Sequence, residues 1–359
     1  MINFDFLVAG CNTRCRHCYV NGGPGPRMEL SDALCCIGQL DAIAACLGEE
    51  TNFTLDHEPM NHPQILEILT AAAGTKHIQN YHHGMTTGVG LMRRKDKEAV
   101  VDRYLACGYD HFGLTIHGGE ALHDAITRRS GAYAAAIEAG TFFKARGAQL
   151  EVSLMLNRYT PEQAGEITAA LDRLQPDWIY AAFPIYTPHR NMADFEPYRA
   201  TLETAEALRD RLPAWRQDAD RLLESARQSS VAFARETLER GTTLVDLFDA
   251  PQDERYLCVH PDGRLFYGNS GAETQDLGDL RTADPAAIAA VIRSLPYNRD
   301  YDAFYDRSAL PKPERLLAAL SELPQTLVYG DFPSAIYRGL VACGTPTRIL
   351  PARSGVMND

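Results

Sequence analysis

The 359-residue chain reads as an α/β protein built on a parallel sheet. Two observations predict this. Between residues 1 and 200, short apolar runs of strand type alternate six times with segments of helical periodicity, the pattern of parallel strands joined by crossover helices. The titratable and polar residues able to carry chemistry cluster just after those strands, where ligands collect in parallel α/β folds. A closed eight-strand barrel needs two more strand–helix units than the sequence supplies.

The first strand is the run Ile2, Phe4, Phe6, Leu7, Val8, Ala9. Directly after it come Cys11, Cys15 and Cys18. Three thiols this close, directly after a strand, predict a loop wrapped around something that binds sulfur. The stretch Gly22-Gly23-Pro24-Gly25-Pro26 follows and is expected to line or cover the bound group. Ser31 is expected to cap a helix over 32–47 that carries Leu34, Ile37, Leu40, Ile43 and Ala44 at helical spacing. Cys35, Cys36 and Cys46 on that helix read as small apolar residues near a core face.

A second strand, 52–55, leads into Asp56-His57-Glu58-Pro59 and a helix over 63–74. His57 and His62, beside this turn, are expected to be solvated. The third strand begins at His77 and ends near Met85-Thr86-Thr87-Gly88, followed by a helix over 97–107. The fourth strand, 110–116, ends in His117-Gly118-Gly119, and a helix over 133–146 follows. The fifth, 149–156, ends at Asn157 and precedes a helix over 161–174. The sixth spans 178–183.

A proline-interrupted linker over 184–197 separates this region from two helical segments, 198–211 and 215–239, whose charges read as a solvated face. Tyr256–Val259 and Arg264–Tyr267 flank His260-Pro261-Asp262-Gly263, a hairpin signal. Helices are expected at 285–295 and 313–320, with Tyr305, Tyr329 and Tyr337 as packing or substrate contacts. Two domains are expected, 1–200 and 201–359.

The apolar fraction of 45% and charged fraction of 23% belong to an ordinary globular chain. A net charge of −12 argues against a duplex-binding surface, because nucleic-acid affinity is dominated by Lys and Arg on phosphates. There is no secretory signal, and no apolar run reaches the ~20 residues of a membrane span. The expected location is cytoplasmic, with no membrane and no nucleic-acid partner. Nine cysteines in such a chain read as reduced thiols or ligands and not as a disulfide framework.

A structural zinc site normally has four ligands and pairs Cys-x2-Cys with a second pair, which is missing here. Soft thiolates also suit iron–sulfur clusters, and three of them leave one iron open. The spacing Cys-x3-Cys-x2-Cys, with Tyr19 directly after, resembles the signature of the radical S-adenosylmethionine (SAM) superfamily. The resemblance implies an open (β/α)6 partial barrel over residues 1–200, with a [4Fe-4S] cluster on Cys11, Cys15 and Cys18 and SAM on the open iron.

It further implies that Tyr19 shields the cluster. Glu58 would accept from the SAM amino group, although Asp56 and His57 replace both glycines of the family's Gly-Gly-Glu-Pro-like turn. Thr87 stands in the place of an asparagine, Thr115 and His117 fit a Ser-x-His turn, and Asn157 and Arg129, in preference to Arg128, complete the SAM contacts. The substrate would lie near His117, Tyr180 and Tyr186. The hairpin, with Leu277-Gly278-Asp279-Leu280, resembles the SPASM or twitch subdomain. After residue 200 only Cys258 and Cys343 remain, so auxiliary clusters are not expected and the region is read as a lid or substrate platform.

The chemistry this implies is reductive cleavage of SAM to a 5′-deoxyadenosyl radical that abstracts hydrogen from an unactivated carbon, with an electron donor such as flavodoxin or ferredoxin. The first strand begins almost at Met1, which leaves no room for a leader-peptide domain and favours a small natural-product or metabolite substrate. The competing readings are a peptide-modifying enzyme, an epimerase with Cys258 as hydrogen donor, and a non-catalytic Fe-S or zinc-binding interaction protein.

Overall fold

Alternation of buried with half-buried residues marks β1 (Ile2–Phe6) and β2 (Thr51–Leu55), which pair in parallel with Phe4 opposite Phe53. The computed structural model describes residues 1–20, 22–80, 83–188, 190–211, 219–242, 244, 254–268, 270–271, 273–295, 305 and 307–350. β3 (Gln79–Asn80) continues this sheet in parallel with β2. A second parallel sheet holds β4 (His83–Met85), β5 (His111–Ile116), β6 (Gln149–Met155) and β7 (Trp178–Ala182) in sequence order. The third expected strand is therefore two short pieces, one in each sheet. With the helices between the strands, the fold class is that of the expected open α/β partial barrel.

Those helices are α1 (Leu30–Leu47), α2 (Ile65–Ala73), α3 (Val89–Met92), α4 (Lys97–Ala106), α5 (Glu120–Thr127), α6 (Ala132–Ala145) and α7 (Ala164–Leu174). Side chains alternate across a strand, so Phe112, Leu114 and Ile116 of β5 enter the core, where Phe112 stacks on Phe143 of α6 at 4.2 Å. His111, Gly113 and Thr115 take the opposite, barrel-interior face.

α1 starts at Leu30, so Ser31 lies inside the first turn and Glu29 occupies the cap without a side-chain hydrogen bond. Gly48, at φ 65°, ends the helix in the left-handed conformation that favours glycine, and its N–H reaches Ala44 O at 3.1 Å. The buried face is Ala33, Cys36, Ile37, Leu40, Ile43, Ala44 and Leu47. It contains Ile37, Leu40, Ile43 and Ala44 of the expected stripe, while Leu34 is exposed, as are Cys35 and Cys46, and only Cys36 of that trio enters the core. By length and mean hydropathy, 1.5 over 18 residues, α1 matches a membrane span in composition; in the fold its apolar face packs against α2 and the C-terminal region.

The expected linker contains α8 (Arg190–Phe195) and a 3-10 turn at Glu196–Tyr198. α9 (Leu202–Arg211) follows, and the helix expected over 215–239 is two, α10 (Ala219–Gln228) and α11 (Val231–Glu239). Ser230 makes the break by accepting from Phe233 N as the cap of α11.

The hairpin forms as expected: β8 (Arg255–Val259), β9 (Arg264–Tyr267) and β10 (Gln275–Asp279) make an antiparallel meander. Its placement was not foreseen, because β8 also pairs in parallel with β1, Cys258 opposite Asp5, and so extends the barrel sheet. α12 (Pro285–Ser294) packs on α1, and Leu257, Leu265 and Ile288 share one core with Phe4 and Leu40. Sheet and core thus run across residue 200. A second core gathers α11, α13 (Pro313–Ser321) and α14 (Phe332–Ala342), with Tyr186, Tyr305, Tyr329 and Tyr337 buried in it.

Candidate active site

The cysteine loop leaves β1 and is pinned by backbone contacts to the end of α5. Arg14 N donates to Thr127 O at 3.2 Å and Arg16 N to Ile126 O at 2.9 Å. Arg16 Nε adds a bond to Ala125 O, 3.0 Å. On the other side Asn61 Nδ2 donates to Gly10 O at 2.6 Å, and Asn12 bonds Asn61 through its side chain. These bonds fix the loop without spending any thiol.

The sulfurs of Cys11 and Cys18 face a gap at Gly22, and Cys15 lines the adjoining cleft together with Cys18. A Cβ added at Gly22 would stand 3.1 Å from Cys11 Sγ and 3.4 Å from Cys18 Sγ, so glycine keeps that space open. Gly22 N also donates to Cys18 Sγ at 3.0 Å. Burial, then the neighbouring thiols, push Cys11 well above an ordinary thiol pKa and Cys18 up to about 12. Burial raises Cys15 as well, with a bond to Thr13 working against it. Three thiolates crowded in a poorly solvated place need a cation between them, and an iron cluster has the charge and softness for it. The donor set therefore fits a three-cysteine cluster.

A cleft opens beside the thiols at the carboxyl ends of the strands. Its lining includes Cys15, Cys18, Tyr19, His57, Thr86, Thr87, Thr115 and His117. Glu58 is fully buried behind this wall: its carboxylate accepts from Thr87 N at 2.7 Å and Thr87 Oγ1 at 2.6 Å, and from Thr86 Oγ1. Burial raises its pKa, opposed by those bonds. Glu58 thus holds the two threonines that face the cleft and does not line it.

His57 takes φ 64°, the left-handed conformation its glycine counterpart would adopt, so the turn survives the replacement. Its Nδ1 lies 3.1 Å from Asp56 Oδ2 and 3.4 Å from Ser270 Oγ. Burial opposes ionisation of Asp56, yet His57 outweighs it and the carboxyl titrates below its ordinary value. His57 is accordingly a packed wall residue and not a solvated one. His62 is buried too, bonded through Nε2 to Met28 O at 2.7 Å, away from the cleft.

His17, His117 and His123 form one wall, with ring centroids 4.5 Å and 5.1 Å apart along the series. Burial, then mutual repulsion, holds His117 well below its ordinary pKa, and burial takes His17 and His123 down to about 4. The wall is uncharged at neutral pH. His17 was not singled out in sequence; the signal for it was its place between Cys15 and Cys18. Thr86, next to Thr87, was missed as a second cleft hydroxyl.

Other expected residues lie elsewhere. Arg129 donates from Nη1 to Asn12 O at 2.8 Å and so grips the back of the cysteine loop, outside the cleft lining. Arg128 pairs with Asp194. Asn157 is fully buried, donating to His117 O at 2.7 Å and accepting from Tyr159 N at 3.0 Å, which ties the end of β6 to the turn after β5. Tyr180 is 57% exposed on the β7 edge, and Tyr186 is buried in the second core and is no surface contact. Cys258 is fully buried beside His260 and Glu273, off the cleft lining, in polar and not apolar surroundings.

Residues 6–171 match the family model described as the radical SAM superfamily. Pre-heme d1 synthase of Dinoroseobacter shibae is 24% identical over 191 residues, 52% of this chain and 44% of its own. The match thus spans less than half of that relative's length. Native anSMEcpe with bound AdoMet superposes at a TM-score of 0.52 and 11% identity, over 96% of this chain and 97% of that one. Native anSMEcpe with bound AdoMet and Cp18Cys peptide gives 0.53 and 12%, over 96% of each chain. At these identities the likeness speaks to fold.

Proposed function

From the match of residues 6–171 to the radical SAM superfamily, an enzyme family using a [4Fe-4S] cluster and SAM, we propose that Cys11, Cys15 and Cys18 hold a single cluster. The chemistry the two cofactors supply when bound is one-electron cleavage of SAM and abstraction of a hydrogen atom from an unactivated carbon. The observation that carries this reading is that Cys11 and Cys18 border the gap kept open by Gly22 while Cys15 and Cys18 line the adjoining cleft at the carboxyl ends of parallel strands.

The chain's own residues position and shield. Thr86 and Thr87 give their hydroxyl protons to Glu58 and so present oxygen lone pairs, as acceptors, to the polar end of SAM. Tyr19 covers the mouth, and the neutral wall of His17, His117 and His123 gives the cleft a poorly hydrated side. Arg129 and Asn157 serve as positioning residues, one for the cysteine loop and one for the His117 turn. The meander of β8–β10, in the place of a SPASM or twitch subdomain, acts as a platform without clusters of its own. The substrate we propose is a small molecule, which the confinement of the cleft between the cysteine loop and the strand ends supports; an external donor such as flavodoxin or ferredoxin supplies the electron.

Anaerobic reconstitution with iron and sulfide tests the reading. Wild type should turn brown with iron matching one [4Fe-4S] cluster, and Cys15→Ala should lose most of that iron while keeping its circular-dichroism spectrum. A colourless protein that takes up zinc instead would favour the non-catalytic reading.

A further inference from the structure

The interior face of the barrel carries a second set of ligand-type side chains, away from the cysteine loop. His83 and His111 are register partners on β4 and β5, and Glu151 on β6 stands opposite Gly113. One ligand atom from each of His83, His111 and Glu151 lies within 4.8 Å of the others. The two imidazoles are 4.3 Å apart between centroids, and Trp178 on β7 stacks against His111 at 4.8 Å. Gly113 creates the space: a Cβ there would stand 2.8 Å from His83 Nε2 and 2.2 Å from Met85 Sδ.

The hydrogen bonds do not satisfy His111. His111 Nε2 is buried without a hydrogen-bond partner, and Glu151 Oε2 lies 3.7 Å away, beyond hydrogen-bond reach. Ser153 Oγ donates to the other carboxylate oxygen at 3.2 Å, which leaves Oε2 for the imidazoles. The set remains partly open to solvent, the side chains of His111 and Glu151 being 26% and 21% exposed, so an ion has a way in. His111 sits four residues before Thr115 of the cleft lining, about 13 Å along the strand at ~3.3 Å per residue.

From this juxtaposition we propose that His83, His111 and Glu151 form a binding site for a divalent first-row metal ion inside the barrel, separate from the cysteine cluster. Two imidazoles and one carboxylate suit zinc, cobalt or iron, and three protein donors leave coordination positions for water or a substrate oxygen or nitrogen.

The test uses the tag-free, cluster-loaded protein, treated with chelating resin and titrated with Co2+. Wild type should take up one equivalent with visible ligand-field bands. His111→Ala and the near-isosteric Glu151→Gln should weaken uptake by more than about tenfold while iron content and SAM cleavage stay as in wild type. Cys258→Ser should bind as wild type. No Co2+ uptake by the wild type, equal affinity in both variants, or loss of binding in Cys258→Ser would each overturn the proposal. Because iron and SAM cleavage are read separately, failure here is distinguishable from failure of the cluster assignment.

Discussion

At the residue scale, His57 shows how a motif can change letters and keep its geometry. Its φ of 64° strains any side chain with a Cβ, and the contacts to Asp56 and Ser270 hold it there. His57→Gly loses the contacts and relieves the strain, whereas His57→Ala loses the contacts alone. The alanine variant should therefore be the less stable of the two by about 1 kcal/mol in urea unfolding. Equal stability would mean that the turn relaxes. His123 makes a pH prediction. Folded, it titrates at about 4 against an ordinary 6.5, so the unfolded chain takes the proton first and stability falls as pH drops from 6.5 toward 4. His123→Gln should flatten that slope in unfolding midpoints measured across the range. The three cysteines were legible in sequence because three thiols so close together, directly after an apolar strand, form a ligand pattern. The hidden position of Glu58, behind Thr86 and Thr87, was not, since it depends on strands 28 residues apart meeting at one carboxylate.

At the element scale, α1 separates what periodicity can and cannot fix. Its existence, its length and the burial of Ile37, Leu40, Ile43 and Ala44 followed from apolar spacing, but Leu34 stays exposed and Ala33 and Cys36 are buried instead, because the neighbouring α2 and α12 decide where the covered side ends. Leu40→Ala, at a position 1% exposed, should cost about 2–5 kcal/mol. Leu34→Ala, at 39% exposure, should stay within about 0.5 kcal/mol of wild type. Thermal and urea midpoints of the pair check both, and a reversed order would contradict the assigned face. The six strands were legible as short apolar runs. The split of the third was not, because each piece is defined by its pairing with β2 or β5 and not by its own composition.

At the scale of the whole molecule, the parallel pairing of β8 with β1 makes the C-terminal meander part of the barrel sheet. Nothing in the hairpin's turn chemistry announces a partner more than 240 residues earlier in the chain, which is why the sequence suggested a boundary at 200. The pairing brings Ser270 to 3.4 Å from His57 of the cleft lining, so the segment between β9 and β10 supports the cleft wall. The alternation of strands and helices was enough for the fold class, and the cysteine spacing enough for the family. The most direct measurement is SAM cleavage under reducing, oxygen-free conditions, followed by chromatography of the products. Wild type loaded with iron and sulfide should release 5′-deoxyadenosine, and the Cys11→Ala, Cys15→Ala and Cys18→Ala variants should each fall to background. Release from any of the three variants at the wild-type rate, or none from iron-loaded wild type, would contradict the assignment.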